Sequence, residues 1–142
     1  MKALLLILLL TFISLGVHAQ GKATAIVYRS KETSGSYPKT KTAIYINGVK
    51  VATLGNNRIF TIELEPGTYM FRARDKKEPG IEFAVESDHI YYVRGDMDLT
   101  RVRLFRKPNF RLTLMDPLQA KAETTEMVLI SKDDITDPRI KQ

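Results

Sequence analysis

The stretch that decides the fold is residues 42–74, TAIYINGVKVATLGNNRIFTIELEPGTYMFRAR. It contains four short runs in which apolar residues alternate with polar ones, the pattern of half-buried β-strands. Three groups of turn residues separate these runs: Asn47 with Gly48, residues 55–57, and Pro66 with Gly67. The stretch therefore predicts four consecutive β-strands.

The first of these turns also predicts how two of the strands pair. An Asn-Gly pair suits a two-residue type I′ turn, because both turn positions need positive φ. Such a turn sets Ile46 opposite Val49 and Ile44 opposite Val51, with all four side chains on one face. The third turn, in which Pro precedes Gly, fits type II.

Runs on either side of this stretch extend the β pattern. Residues 23–29, 81–86, 89–95, 101–106 and 110–114 have alternating or β-branched composition. The run at residues 89–95 is apolar on both faces, which predicts a central strand that is covered on both sides. The fold class that follows is all-β, an antiparallel β-sandwich of about 7–8 strands.

The first 19 residues predict export. They combine the basic residue Lys2 with an apolar run and a small-residue end at Ala19, the three parts of a secretory signal. The apolar run is short for a membrane span, which needs about 20 residues. We therefore expect a cleaved N-terminal signal helix at residues 1–19 and a periplasmic or secreted protein with no stable membrane anchor. An uncleaved anchor is the alternative.

The chain changes character again after the predicted β-sandwich domain at residues 20–115. Asp116 followed by Pro117 suits a helix start, because Asp caps helices and Pro is favoured at the first helical position. A short C-terminal helix is predicted at residues 116–130, although the end of this range could form an extra strand instead. Residues 131–142 are polar and predict a flexible tail.

Composition excludes several kinds of chemistry. The 142 residues include no cysteine, so the chain has no disulfide, no thiol nucleophile, no thiolate metal site and no cysteine-linked lipid. His89 lies next to Asp88 at a strand start, but neighbouring strand residues point to opposite faces and would not form a general-base pair. The chain is predicted to be no enzyme and to have no cofactor and no metal site.

A cluster of basic residues is the best candidate for a binding site. Arginine side chains suit phosphates and carboxylates, so the predicted partner is an anionic envelope polymer, a lipid headgroup or an acidic protein, and not nucleic acid. Arg72 and Arg74 would enlarge this surface if their strand is a neighbour. The alternative is that outward arginines only keep the sheet soluble. The candidate binding residues are Arg94, Arg101, Arg103, Arg106, Lys107 and Arg111.

Three segments carry a resemblance to a known family. YINGVKVATL at residues 45–54, LEPGTYMFRAR at residues 64–74 and HIYYVRG at residues 89–95 resemble a bacterial family of small exported or lipoprotein-like domains of unknown function. The same arrangement is similar to β-domains of the PEGA type and, more distantly, to transthyretin-like sandwiches. The resemblance covers residues 24 to about 114 and implies a β-sandwich, with no catalytic residues to carry over.

The predicted function is that of an exported, non-enzymatic β-domain. It would bind a component of the cell envelope or a partner protein, with the basic strand face as the contact. Two alternatives stay open. One is a structural module that joins a larger assembly by strand addition. The other is an enzyme or enzyme inhibitor whose site is built from loops.

Overall fold

The computed structural model describes residues 21–31, 40–75, 78–98 and 109–141. The predicted signal peptide, most of the loop after residue 30 and the strand predicted at residues 101–106 lie outside the described residues. The elements in chain order are β1 (Ala23–Arg29), β2 (Thr42–Ile46), β3 (Val49–Leu54), β4 (Arg58–Leu64), β5 (Gly67–Ala73), β6 (Ile81–Val85), β7 (Ile90–Asp98), β8 (Asn109–Met115), α1 (Pro117–Thr124), β9 (Val128–Leu129) and β10 (Ile140–Lys141).

The described strands form two sheets. The six-stranded sheet has the order β10-β4-β1-β7-β8, with β9 also paired to β4, and the four-stranded sheet has the order β3-β2-β5-β6. The prediction of a β-rich chain with one short helix is confirmed. The prediction of purely antiparallel pairing is wrong, because β1 pairs with β7, and β4 with β9, in parallel. The chain builds the whole four-stranded sheet between β1 and β7, and this long crossing allows the parallel arrangement.

One hydrophobic core lies between the two sheets. Alternate residues of each strand point into it, as period-2 patterning requires. The six-stranded sheet supplies Val27, Phe60 and Ile62, and the four-stranded sheet supplies Ile44 and Phe71, all fully buried. Burying such a side chain stabilises the fold by roughly 1.5–3 kcal/mol. β7 has β1 and β8 as its two neighbours and buries residues on both faces. The prediction of an interior strand that is covered on both sides is therefore confirmed.

The β2–β3 hairpin has the predicted turn and the predicted pairing of Ile46 with Val49, but its register shifts between Tyr45 and Ile44. Asn47 and Gly48 have φ values of 49° and 79°, which suit a type I′ turn. Ile44 pairs with Ala52 instead of Val51, because a β-bulge interrupts the ladder. The bulge lets Val51 and Ala52 both be buried. Val49, predicted to face inward, is 60% exposed.

The other two turns connect the sheets to each other. β3 lies in the four-stranded sheet, β4 in the six-stranded sheet and β5 in the four-stranded sheet again. The type II prediction for Pro66 and Gly67 is wrong, since Gly67 has φ of 154° and already pairs with Val85 as the first residue of β5. The four strands predicted in this stretch are therefore divided between two sheets.

The helix is shorter than predicted. The Asp116 carboxylate accepts hydrogen bonds from the backbone N–H groups of Leu118 and Gln119, which confirms the predicted cap. The helix ends at Thr124 and not at residue 130, and the alternative prediction of an extra strand at the end of this range is confirmed by β9. Downstream, the N–H of Val128 donates to the carbonyl of Asn57, so the chain continues as β9 along the edge of β4.

Residues 125–141, here called the closing segment, are bound to the edges of both sheets. The bulged carbonyl of Val51 accepts hydrogen bonds from the N–H groups of Thr136 (2.9 Å) and Asp137 (3.1 Å). Ile140 then pairs with Ile62 on β4 and is buried in the core. The predicted flexible tail is wrong for the described residues 131–141, because two buried isoleucines, Ile130 and Ile140, hold this segment against the sheets.

Replacing Ile140 with Ala tests this attachment. We expect the free energy of unfolding to fall by about 2 kcal/mol, at the low end for buried Ile→Ala changes, because Ile140 lies at the core's edge. Val128→Ala is the matched control in the same segment and should cost less than about 0.5 kcal/mol, since Val128 is half exposed. Urea unfolding of both variants measures the difference, and equal stability for Ile140→Ala and the unaltered protein would contradict the attachment.

Asp137→Asn should change the pH dependence of stability. Hydrogen bonds from Arg139 lower the pKa of the buried Asp137 carboxyl below its usual 3.8. A lowered pKa stabilises the fold above the unfolded-state value, and this contribution is lost as pH falls through the folded-state pKa. At pH 7 we expect the variant to be less stable by about 1–2 kcal/mol. Urea unfolding below pH 3.8 should show a smaller difference, and a difference independent of pH would contradict the role of this pair.

Candidate functional site

Two of the six predicted binding residues lie in the described part of the chain. Arg94 is on β7 and Arg111 is on β8. Arg94 pairs with Thr113, and Asp96 pairs with Arg111, so cross-strand neighbours place both arginines on the same face of the six-stranded sheet. This is the outer face, since the alternate residues of these strands belong to the core. Arg101, Arg103, Arg106 and Lys107 lie outside the described residues.

The β7–β8 pairing places the described residues on either side of positions 99–108. The ladder continues to its last pair, Asp98 with Asn109. The two residues that flank positions 99–108, Asp98 and Asn109, therefore lie at one end of the six-stranded sheet. The sequence of the connection between them, residues 99–108, is LTRVRLFRKP and holds four basic and no acidic residues. The rest of the chain has 18 basic and 16 acidic residues, so this connection carries four of the six net positive charges.

Arg94 is already engaged in a half-buried polar cluster. Its Nε donates to Asp96 Oδ2 (2.8 Å) and its Nη1 donates to Glu123 Oε1 (3.0 Å). The hydroxyl of Tyr28 donates to the other oxygen of Glu123 (2.7 Å), and Gln119 donates to Oε1. Two carboxylates thus neutralise Arg94, and the cluster joins α1 to the sheet.

Burial and ion pairing together set the ionisation of this cluster. The pKa of Tyr28 is raised, first by burial and then by its hydrogen bond to Glu123, so the phenol remains a neutral donor at physiological pH. Burial alone would lower the pKa of Arg94, but the ion pairs with Asp96 and Glu123 outweigh it and the pKa is raised. Both groups are therefore permanent hydrogen-bond donors toward the carboxylate.

Arg72 and Arg74 do not enlarge this surface. Arg72 is on β5, whose partners are β2 and β6, and Arg74 follows β5 directly. The crossing after β4 carries this strand into the four-stranded sheet, while Arg94 and Arg111 belong to the six-stranded sheet. The condition for a shared face, that these strands are neighbours, is therefore not met.

A buried arginine supports the end of the sheet from which the basic connection leaves. Arg29, the last residue of β1, is fully buried, and its Nη1 donates to the carbonyl of Thr40 (2.6 Å). Its guanidinium lies 5.5 Å from the centre of the Phe110 ring, a cation–π distance. Phe110 in turn packs over Gly95. Sequence reasoning did not identify Arg29, and its only signal was an arginine on the inward face of an otherwise apolar strand.

His89 lies on an exposed surface, where its two ring nitrogens face Ser87 and Glu86. Its Nδ1 lies 2.9 Å from the carbonyl oxygen of Ser87, and its Nε2 lies 3.9 Å from Glu86 across an exposed surface. Asp88 has φ of 61° and its carboxylate lies against Gly21. Across residues 21–31, 40–75, 78–98 and 109–141, His, Asp and Glu side chains form no group of three or more that could hold a metal ion.

Comparisons with protein-family models, curated proteins and solved structures returned no match. The resemblance to small exported β-domains stays a prediction that rests on turn residues and strand hydrophobes. Within the part of the chain that the structure describes, no helix has the length and hydropathy of a membrane span.

Gly95→Ala tests the support beneath the basic connection. An added Cβ would lie 2.5 Å from two atoms of the Phe110 ring, closer than real Cβ contacts allow. We expect a loss of about 1–3 kcal/mol in the free energy of unfolding, the usual cost of overpacking. The double variant with Phe110→Leu should lose less than the sum of the two single variants. Strict additivity in urea unfolding would contradict this packing.

Proposed function

We propose that this protein is an exported, non-enzymatic β-domain that binds an anionic component of the cell envelope through the connection between β7 and β8. One observation carries the proposal: residues 99–108 hold four of the six net positive charges, and the β7–β8 ladder places the two residues that flank this connection at one end of the six-stranded sheet. An acidic surface of a partner protein is the other ligand that this charge suits.

Acidic residues accompany the arginines on β7 and β8, so these two strands add little net positive charge. Arg94 is neutralised by Asp96 and Glu123, so it adds little to the outer-face charge. Arg111 stands opposite Asp96 in the ladder. By sequence, the net positive charge next to this pair of strands therefore comes from Arg101, Arg103, Arg106 and Lys107. Clustered positive charge raises the local concentration of an anionic partner and speeds its association.

The proposed fold family agrees with a binding role. Two sheets share one core, and the strand-and-turn pattern of residues 42–74 supports a sandwich of the PEGA or transthyretin type. Rigid sandwiches present their connections at the ends of the sheets, and such connections often carry binding function. Arg111 on β8 belongs to the proposed site, and Arg94 is left out of it because Asp96 and Glu123 neutralise its charge.

Replacing Arg101, Arg103 and Arg106 with Ser should strongly weaken envelope association. Each arginine contributes roughly 1 kcal/mol of attraction to an anionic surface, so three together should weaken binding about a hundredfold. Cosedimentation with envelope membranes, and with vesicles of phosphatidylglycerol or phosphatidylcholine, measures the loss at low and at physiological salt. Binding to phosphatidylglycerol vesicles but not to phosphatidylcholine vesicles would identify the lipid headgroup as the anion.

The matched control replaces three basic residues elsewhere with the same change in net charge. Lys50, Lys121 and Lys132 are exposed and lie outside residues 99–108. Their triple Ser variant should keep at least half of the association, because position and not net charge decides binding. Thermal unfolding should be unchanged in both variants. The proposal would be contradicted if the arginine variant kept its association, or if the arginine and lysine variants lost association equally.

A further inference from the structure

Tyr28 and Arg94 hold a single carboxylate from two neighbouring strands. Tyr28 is on β1 and Arg94 is on β7, and the two residues are direct partners in the parallel pairing. Tyr28 donates to Oε2 of Glu123 at 2.7 Å, and Arg94 donates to Oε1 at 3.0 Å. Each carboxylate oxygen therefore has its own donor, which is the geometry of two-point carboxylate recognition.

The sheet positions Arg94 without help from the helix, and it supplies part of the packing around Tyr28. Arg94 is also held by Asp96, two residues further along the same strand, at 2.8 Å. The Tyr28 ring is buried in a small cluster with Tyr92 of the sheet and Ala120 of α1. Removal of Glu123 would leave the phenol and the guanidinium in place. The donors thus form a preorganised site, and Glu123 is its present occupant.

The helix that carries Glu123 is attached to the sheet through few apolar contacts. Ala120 is its only buried residue, and Leu118 is 80% exposed. The carboxylate of Glu123 therefore provides a large share of the attachment. Because α1 is tethered at one end to β8 and at the other to the closing segment, it stays close to the site when this contact opens.

We propose that Tyr28 and Arg94 form a carboxylate-binding site, that Glu123 occupies it as an internal ligand, and that a glutamate-bearing helical peptide of a partner protein takes its place. The resident helix indicates the kind of peptide that fits. Ala120, about one turn before Glu123, packs in the cluster with Tyr28 and Tyr92, so a small residue there lets a helix approach the sheet. This site lies on the β1–β7 face and does not depend on the basic connection.

Tethering predicts how the site behaves in the unaltered protein. A short tether gives Glu123 an effective concentration in the millimolar range, so a free peptide competes poorly with it. Removing the Glu123 carboxylate should therefore expose the site. Binding in trans should increase when Glu123 is replaced and should decrease when a donor on the sheet is replaced.

The chain's own helix sequence is the probe. A fluorescent peptide of residues 116–127, DPLQAKAETTEM, is titrated with the full-length protein and its anisotropy is measured. We expect Glu123→Ala to bind this peptide at least tenfold more tightly than the unaltered protein does. Glu126→Ala is the matched control, since it removes the same charge from an exposed position, and it should behave like the unaltered protein.

Two further measurements test the contact itself, one at a donor on the sheet and one at the carboxylate of the peptide. Adding Tyr28→Phe to Glu123→Ala keeps the ring and removes only the hydroxyl, and it should weaken peptide binding severalfold. A peptide in which Gln replaces the first Glu should not bind. Equal binding by Glu123→Ala and Glu126→Ala, or undiminished binding of the Gln peptide, would overturn the proposal.

Hydrogen exchange measures the opening of α1 in the unaltered protein and therefore needs no substitution at Glu123. In the unaltered protein, the amides of Ala120 and Glu123 should exchange through local opening at least tenfold faster than paired amides of β1 and β7. Helix amides that exchange only as slowly as the central strands would show that Glu123 is not displaced, and would overturn the proposal.

Discussion

The pairing of β1 with β4 on one side and β7 on the other is the constraint on which the rest of the structure depends. β1 is the central strand of the six-stranded sheet, and both of its ladders run along most of its length. Alternation along β1 sends Val27 into the core and Tyr28 to the outer face. The parallel ladder also sets Tyr28 beside Arg94. Both candidate sites, the basic connection and the carboxylate site, are positioned by strands that β1 holds in register.

The β-bulge in β3 has an effect far beyond its own hairpin. A bulge frees backbone groups from the ladder and turns adjacent side chains to the same side. Here Val51 and Ala52 are both buried, and the carbonyl of Val51 is available to Thr136 and Asp137. The closing segment then reaches β4 in the opposite sheet through Ile140. One extra residue in a short strand thereby connects the two sheets along their edges.

Local chemistry in the sequence predicted the elements well, and long-range contacts explain where it failed. The Asn47 and Gly48 turn and the Asp116 cap were predicted correctly because each depends on residues within four positions. The bulge at Val51 was missed because its carbonyl partners lie more than eighty positions away. The helix was extended past Thr124 because periodicity does not show that the edge of β4 accepts Val128. The candidate site was predicted by charge alone, and Glu123 was missed because a lone helix glutamate gives no sign of its partners.

The parallel pairing and the closing segment also determine when this chain can finish folding. Thr24 pairs with Ile90, 66 positions away, and Ala52 bridges to Ile135, 83 positions away. Contacts at such separations make folding slow, because the entropy of closing a long loop is lost before the contact can stabilise the chain. The core therefore stays incomplete until residues near position 140 have been synthesised. For a protein exported as proposed here, this delay would keep the chain unfolded enough to pass through a narrow translocation channel and would let it fold only after transport.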